Sequence, residues 1–229
     1  MNNTKKKSPI SWVPTAYFAM GLPFVVLNMV TVLMFKGLEV DDKLITFWTS
    51  LILLPWTLKP LWSPFLELFR TKKFFVIVTQ LITGVTFGLV AFALNLSHFF
   101  SISIALLAIV AFSGATHDIA CDGVYMSELS NEDQAKFIGW QGAFYNIAKI
   151  LATGGLVYLA GYFIELNADA GLLTANKRAW MIILLILSVT MILLGIYHLF
   201  ALPSTQSASS KKTLRSNKEV MKELGQVLM

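Results

Sequence analysis

Residues 51–64 read Leu-Ile-Leu-Leu-Pro-Trp-Thr-Leu-Lys-Pro-Leu-Trp-Ser-Pro, and they lie inside a longer apolar segment that runs from Leu44 to Phe69. The charged residue of this stretch is Lys59. An ammonium group in hydrocarbon is costly, so a charged side chain inside a membrane-length segment usually faces a substrate or ion pathway. The stretch therefore predicts a membrane span that carries a functional lysine.

The composition of the whole chain is that of a multi-pass membrane protein. Of its 229 residues, 56% are hydrophobic and only 14% are charged, whereas a soluble domain has roughly 25% charged residues. A membrane-spanning helix needs about 20 predominantly apolar residues. The sequence therefore predicts an all-α membrane protein in which residues 12–203 form a six-span bundle within the lipid bilayer. The six predicted spans are Trp12 to Phe35, Leu44 to Phe69, Phe74 to Leu94, Phe99 to about Met126, Phe137 to Ile164, and Trp180 to Leu202.

The positive charges indicate the orientation of these spans. A pI near 9.3 would suggest a nucleic-acid partner in a soluble protein, but here membrane topology explains it. With the N-terminus in the cytoplasm, twelve Lys and Arg residues lie on the inner side and four lie in the outer loops. This follows the positive-inside bias. We therefore expect residues 1–11 to be a cytoplasmic tail, both ends to be cytoplasmic, and nucleic acid not to be a partner.

The C-terminal residues 204–229 form a distinct segment. A basic, Ser-rich stretch typical of a linker is followed by apolar positions at helical spacing, namely Val220, Met221, Leu224, Val227 and Leu228. This pattern indicates a cytoplasmic linker and the start of an amphipathic helix. We expect the chain to be one half of a longer protein, with a complete six-span protein as the alternative.

Lys59 has two interpretations. Its side chain could stretch to the headgroups, but Cα–Cβ bonds tilt toward the helix N-terminus, which here points away from the cytoplasmic surface. The alternative is a polar pocket within the bundle. Trp56 and Trp62 lie at −3 and +3 on the same helical face, where their indoles could hold the ammonium by cation–π contact. Three nearby prolines, Pro55, Pro60 and Pro64, predict a kinked helix.

A second intramembrane lysine, Lys149, falls near the middle of the fifth span. Asn146 lies three residues before it, on the same face. Lys149 is either one member of a structural ion pair or a residue that lines a cavity. Because polar groups face the bundle interior or water, we expect the first, second, fourth and fifth spans to line a cleft and the third and sixth to face lipid.

The fourth span carries the sequence His117-Asp118-Ile-Ala-Cys121-Asp122. Asp118 and Asp122 are one turn apart on one face. A metal site is disfavoured, because a closed site needs about four ligands, and so is a catalytic aspartyl pair, because such carboxylates meet head-on at about 3 Å. A buried carboxylate that accepts a proton, or that partners Lys59 or Lys149, fits the spacing better.

Glu67 and Arg70 follow at the predicted cytoplasmic end of the second span. These charges either anchor the span at the interface or form a charge lock that holds one state of a moving bundle.

These residues resemble a known family. Lys59 three residues before Trp62-Ser63-Pro64, Glu67 after it, and Asp118-Ile-Ala-Cys-Asp122 are similar to the AmpG-type muropeptide permeases and acetyl-CoA transporters of the major facilitator superfamily. Here His117 stands where Gln is commoner in the family. The resemblance implies the N-terminal half-bundle of a major facilitator fold, with a C-terminal six-span half as partner and a solute site between the halves.

The same resemblance implies a function. We expect a secondary active transporter, not an enzyme, that takes up muropeptides (anhydromuramyl sugar-peptides) across a bacterial inner membrane, with no cofactor and a proton gradient as the energy source. The substrate or proton pathway would use Lys59, Trp56, Trp62, Asp118, Asp122, Lys149 and Asn146. Acetyl-CoA or another anionic solute or drug is the alternative substrate. A membrane-embedded hydrolase or transferase that uses His117 and Asp118, and a six-span scaffold or channel-like oligomer, are the alternative functions.

Overall fold

A computed structural model describes residues 7–64, 66 and 71–203. Within these residues, six helices are long and apolar enough to cross a membrane, which confirms the prediction of an all-α, six-span membrane protein. We number them span one to span six: Pro9–Gly37, Asp42–Leu61, Lys72–Ala93, Phe99–Glu128, Asn131–Leu166 and Leu172–Ala201.

Spans five and six begin several residues earlier than the sequence predicted. Span five begins at Asn131 and span six at Leu172, so the connections before them are shorter than the predicted bounds, Phe137 and Trp180, would leave. The Ser130 side chain accepts a hydrogen bond from the backbone N–H of Asp133, which caps the start of span five. A prediction from the length of apolar runs detects only the apolar part of a helix, and it therefore misses polar first turns of this kind.

Span two is broken, as its prolines predicted. The α-helix Asp42–Ile52 is followed by a second short helix, Leu54–Leu58, and then by a 3-10 turn, Lys59–Leu61. Pro55 and Pro60 lack the backbone N–H that a continuous α-helix would use. Lys59 therefore stands at a change of helical geometry.

Spans one and five each contain a π-helical segment, Val26–Val30 and Leu151–Leu156. The two segments contact one another across the bundle. Before these segments, span one approaches span five closely at Gly21, where a Cβ atom would lie 2.8 Å from the carbonyl oxygen of Tyr145. Single π turns inside α-helices occur frequently at functional sites.

Spans three, four and six are continuous helices, and span three packs closely against both of the others. A Cβ atom on Gly84 of span three would lie 3.0 Å from the backbone oxygen of Ser188 in span six, so the two backbones are nearly in contact. Fully buried Phe87, Leu107 and Leu187, one from each span, belong to the apolar core.

Burial is uneven among the spans. In the most apolar 18-residue stretch of each helix, 67% of the residues of span one and 61% of those of span three are buried, whereas the share is 17% in spans two and five. The expectation that span three faces lipid holds for one stripe only, which includes the exposed Ile82, Val85 and Phe92. Its opposite face is enclosed and polar, with Gln80 and Thr83 buried.

Candidate functional site

Lys59 forms an ion pair with Asp118. The distance from Lys59 Nζ to Asp118 Oδ2 is 2.6 Å, and the side chains are 27% and 11% exposed. The 3-10 turn of span two presents the lysine, and the uninterrupted helix of span four presents the aspartate. The structure thus selects Asp118 of span four as the carboxylate that partners Lys59.

Trp56 binds the same carboxylate oxygen. Its indole Nε1–H donates to Asp118 Oδ2 at 2.9 Å. Phe24 of span one packs edge-on against this indole, with ring centroids 5.3 Å apart, and a Cβ atom on Gly114 would lie 2.9 Å from its six-membered ring. The sequence placed Trp56 against the ammonium, whereas the structure places its N–H on the carboxylate.

Trp62 takes a different position from the one predicted. It stacks on Phe112 of span four, with ring centroids 4.5 Å apart and planes 20° apart. The prediction assumed that one helix continues from Lys59 to Trp62, but the 3-10 turn ends at Leu61, before Trp62.

Two polar atoms of this site are buried and have no hydrogen-bond partner in the described part of the chain: Trp62 Nε1 and Asp118 Oδ1. Buried polar atoms in proteins are nearly always paired, and an unpaired one needs a specific explanation such as a water or an ion. The site therefore retains one free donor and one free acceptor.

Asp122 belongs to a separate cluster. The Tyr17 hydroxyl donates to Asp122 Oδ1 at 2.8 Å, and Gln141 Nε2 donates to the same hydroxyl at 2.8 Å. This cluster joins span four to spans one and five. The sequence analysis did not single out Gln141, since a lone glutamine in a span gives no sign of which helix it faces.

Lys149 and Asn146 lie apart from the ion pair. Lys149 is midway along span five and exposed, with its ammonium 5.9 Å from the ring centroid of Tyr145. Asn146 is also exposed, and its side chain donates to the carbonyl of Gly142 at 2.8 Å. The structure thus brings Lys59, Trp56 and Asp118 together and leaves these two residues on an open face of span five.

The predicted charge lock of Glu67 and Arg70 lies outside the described residues. A cavity of about 340 Å³ lies between spans two, three and four, near the point where the described part of span two ends. It does not include Lys59. Ser63, Lys72, Phe75, Gly123 and Met126 are among its lining residues.

A buried polar chain crosses four spans and was not predicted. Gln80 of span three lies between the imidazoles of His117 and His198, with N···N and N···O distances of 3.0 and 2.9 Å. Thr15 Oγ1 of span one lies 2.9 Å from the other ring nitrogen of His198. The one signal in the sequence was His198, as an ionisable residue in an otherwise apolar sixth span.

His117 and Asp118 use different partners. The His117 ring contacts Gln80, and the Asp118 carboxylate binds Lys59 and Trp56. A hydrolase dyad would need the two side chains to bond to each other, so these contacts weigh against the alternative of an embedded hydrolase. Among the described residues, no group of three or more His, Cys, Asp or Glu side chains is placed to hold a metal ion.

Comparison with known proteins adds no relative. No protein-family model matches the chain, and no curated protein matches it.

Proposed function

We propose that the protein is a six-span unit of a secondary active transporter and that the Lys59–Asp118 ion pair is its coupling site. The observation that carries this proposal is the pair itself: an ammonium and a carboxylate 2.6 Å apart in the membrane-spanning region, with Trp56 bound to the same oxygen. Ionisable groups inside membrane spans mark substrate and ion pathways by default.

The geometry suits exchange of partners. Lys59 is 27% exposed, and Asp118 Oδ1 has no hydrogen-bond partner among the described residues. An anionic group on a solute would compete with the carboxylate for the ammonium. Once Lys59 is engaged by the solute, a proton binding to Asp118 would neutralise the carboxylate that is left. Solute and proton would then bind together, as symport requires.

The open face of span five supports a cleft opposite this unit. Lys149 is exposed midway along the span, and a charged side chain at that depth does not face hydrocarbon. Spans two and five are also the least buried of the six. We propose that a second six-span unit covers this face and that a water-filled cleft separates the two units, with Lys149 and Asn146 lining it.

The motif resemblance supplies the substrate class. On that basis the solute is a muropeptide, taken up with protons across a bacterial inner membrane into the cytoplasm, where both ends of the chain lie. Acetyl-CoA or another anionic solute is the alternative, since two lysines suit any anion of fitting size.

The test is uptake by vesicles that contain the full-length protein under an imposed proton gradient. Radiolabelled anhydromuramyl peptide is the probe, and acetyl-CoA is the second probe. Lys59→Ala should abolish uptake while membrane insertion is unchanged. Lys36→Ala is the control, because that lysine is 65% exposed and pairs with Asp42, which is exposed as well. Uptake that persists in Lys59→Ala would contradict the proposal.

A further inference from the structure

The buried chain Thr15–His198–Gln80–His117 has properties that the transport proposal does not use. Gln80 and His198 are fully buried, and His117 is 3% exposed. One amide lies between two imidazoles, because Gln80 Oε1 is 2.9 Å from His198 Nδ1 and Gln80 Nε2 is 3.0 Å from His117 Nε2. The protons on the two rings therefore depend on one another.

In the first arrangement, the Gln80 oxygen faces His198. His198 Nδ1–H donates to this oxygen, and the Gln80 amide donates to His117 Nε2, which must carry a lone pair. A neutral His117 then has its proton on Nδ1, and this buried atom has no hydrogen-bond partner within residues 7–64, 66 and 71–203.

In the second arrangement, the amide is turned over at the same heavy-atom positions. The Gln80 oxygen now accepts from His117 Nε2–H, and the amide donates to His198 Nδ1. His198 Nε2–H then donates to Thr15 Oγ1, whose own proton goes to the carbonyl of Trp12 at 3.2 Å. His117 Nδ1 is left with a lone pair.

An imidazolium ion carries an N–H on both ring nitrogens, so the ring nitrogen that faces Gln80 must find an acceptor there. Gln80 has a single acceptor atom, and that atom can face only one of the two rings. The other ring faces the NH₂ group, where an N–H would oppose an N–H in a buried position.

We propose that His117 and His198 form a one-proton site in which the orientation of Gln80 decides which histidine holds the proton. The two histidines are mutually exclusive proton acceptors. The ligand of this site is a proton, and the site is separate from the Lys59–Asp118 pair.

His117 lies beside the ion pair. Asp118 follows it in the chain and binds Lys59 of span two, and Cys121 lies one turn further on the same helix.

His198 is surrounded differently. The Lys73 ammonium of span three donates to the carbonyl of Leu202, just past the end of span six, at 2.8 Å. On span six, the ring of Tyr197 lies 5.5 Å from the His198 ring. The two ends of the site thus lie in different places, one beside the ion-pair residue Asp118 and one at the end of span six.

The test reads protons directly and does not depend on transport. The chain has three histidines, and His98 is exposed, so His98→Gln leaves only the two of interest. We would label the full-length protein with ¹⁵N-histidine in lipid nanodiscs and follow the tautomer and charge of each ring by NMR as the pH is lowered.

The expected result is that the imidazolium fractions of His117 and His198 add up to no more than one over the whole pH range in which the protein is folded. His117→Gln and His198→Gln should each let the remaining histidine become fully charged. Gln80→Glu provides two acceptor oxygens, so the pair should then take up two protons. Gln141→Glu, at the Tyr17 cluster, is the matched control and should leave the count at one.

Three results would overturn the proposal. They are full charging of both histidines in the protein with Gln80, no charging of either one, and a histidine that stays neutral after its partner is replaced. The single histidine variants decide the matter even where Gln80→Glu does not fold. If the transport proposal is wrong, uptake will be absent while these NMR signals are unchanged. A failure of the transport proposal can therefore be distinguished from a failure of the one-proton proposal.

Discussion

Neutralising both members of the Lys59–Asp118 pair should cost less stability than neutralising Lys59 alone and no more than neutralising Asp118 alone. Lys59→Met leaves the Asp118 carboxylate, 11% exposed, with only the Trp56 N–H as partner. Removing one member of a buried ion pair costs 3–5 kcal/mol. Because Lys59 is 27% exposed and water already reaches the pair, we expect the lower end, about 3 kcal/mol.

Asp118→Asn should cost less, about 2 kcal/mol. The amide oxygen can still accept from Lys59 and Trp56, and the ammonium is the more exposed of the two groups. In the double variant no unpaired charge remains, and the free energy of unfolding should fall by about 2 kcal/mol in total. This is about 3 kcal/mol less than the sum of the two single losses.

The measurement is unfolding of the full-length protein in mixed micelles, by titration with SDS and detection by circular dichroism. Lys36→Met and Asp42→Asn provide the control cycle, since that pair is 65% and 71% exposed and its coupling should be no more than about 0.5 kcal/mol. Additive losses at Lys59 and Asp118 would refute the reasoning that the two charges depend on each other. Uptake should remain absent in the stable double variant, because the proposed coupling site is gone.

Two further outcomes are expected. Gly114→Ala should displace the Trp56 ring, which the added Cβ atom would approach to 2.9 Å. We expect it to lower uptake and to lower the free energy of unfolding by about 1–3 kcal/mol. Gly139→Ala is the control and should change neither quantity, because no atom lies within 4 Å of its added Cβ; equal effects at the two glycines would contradict this prediction. Tyr17→Phe removes the hydroxyl that joins spans one, four and five and should cost about 1 kcal/mol in the same SDS titration, whereas Tyr158→Phe, at a 75% exposed position, should cost nothing measurable.

The sequence was sufficient for the number of spans and for singling out Lys59 as a charge inside a span. Both rest on local quantities, namely the length of an apolar run and the cost of a charge within it. The broken geometry of span two also followed from Pro55 and Pro60, since a missing N–H is a property of the residue itself. Asp118 was one of the partners considered, and the structure selected it.

The remaining features depend on how the helices rotate against one another. Trp62 could not be placed by counting along an α-helix, because the chain changes to a 3-10 turn at Lys59–Leu61. Gln80 looked unremarkable in an apolar span, yet the packing of spans three, four and six encloses it between two histidines. Lys149 was expected either to join an ion pair or to line a cavity, and span five turns it to an open face. None of these positions is set by residues nearby in the sequence.

The uneven regularity of the six helices has a mechanical consequence. Spans three, four and six are continuous α-helices, and spans three and six nearly touch along their backbones at Gly84, so this side of the bundle is stiff. Spans one, two and five are each interrupted, by a π segment, a 3-10 turn and a second π segment. Bending is concentrated where helical hydrogen bonding changes its period. Any flexing of the bundle would therefore fall on the side that carries Lys59 and Lys149, against a rigid support.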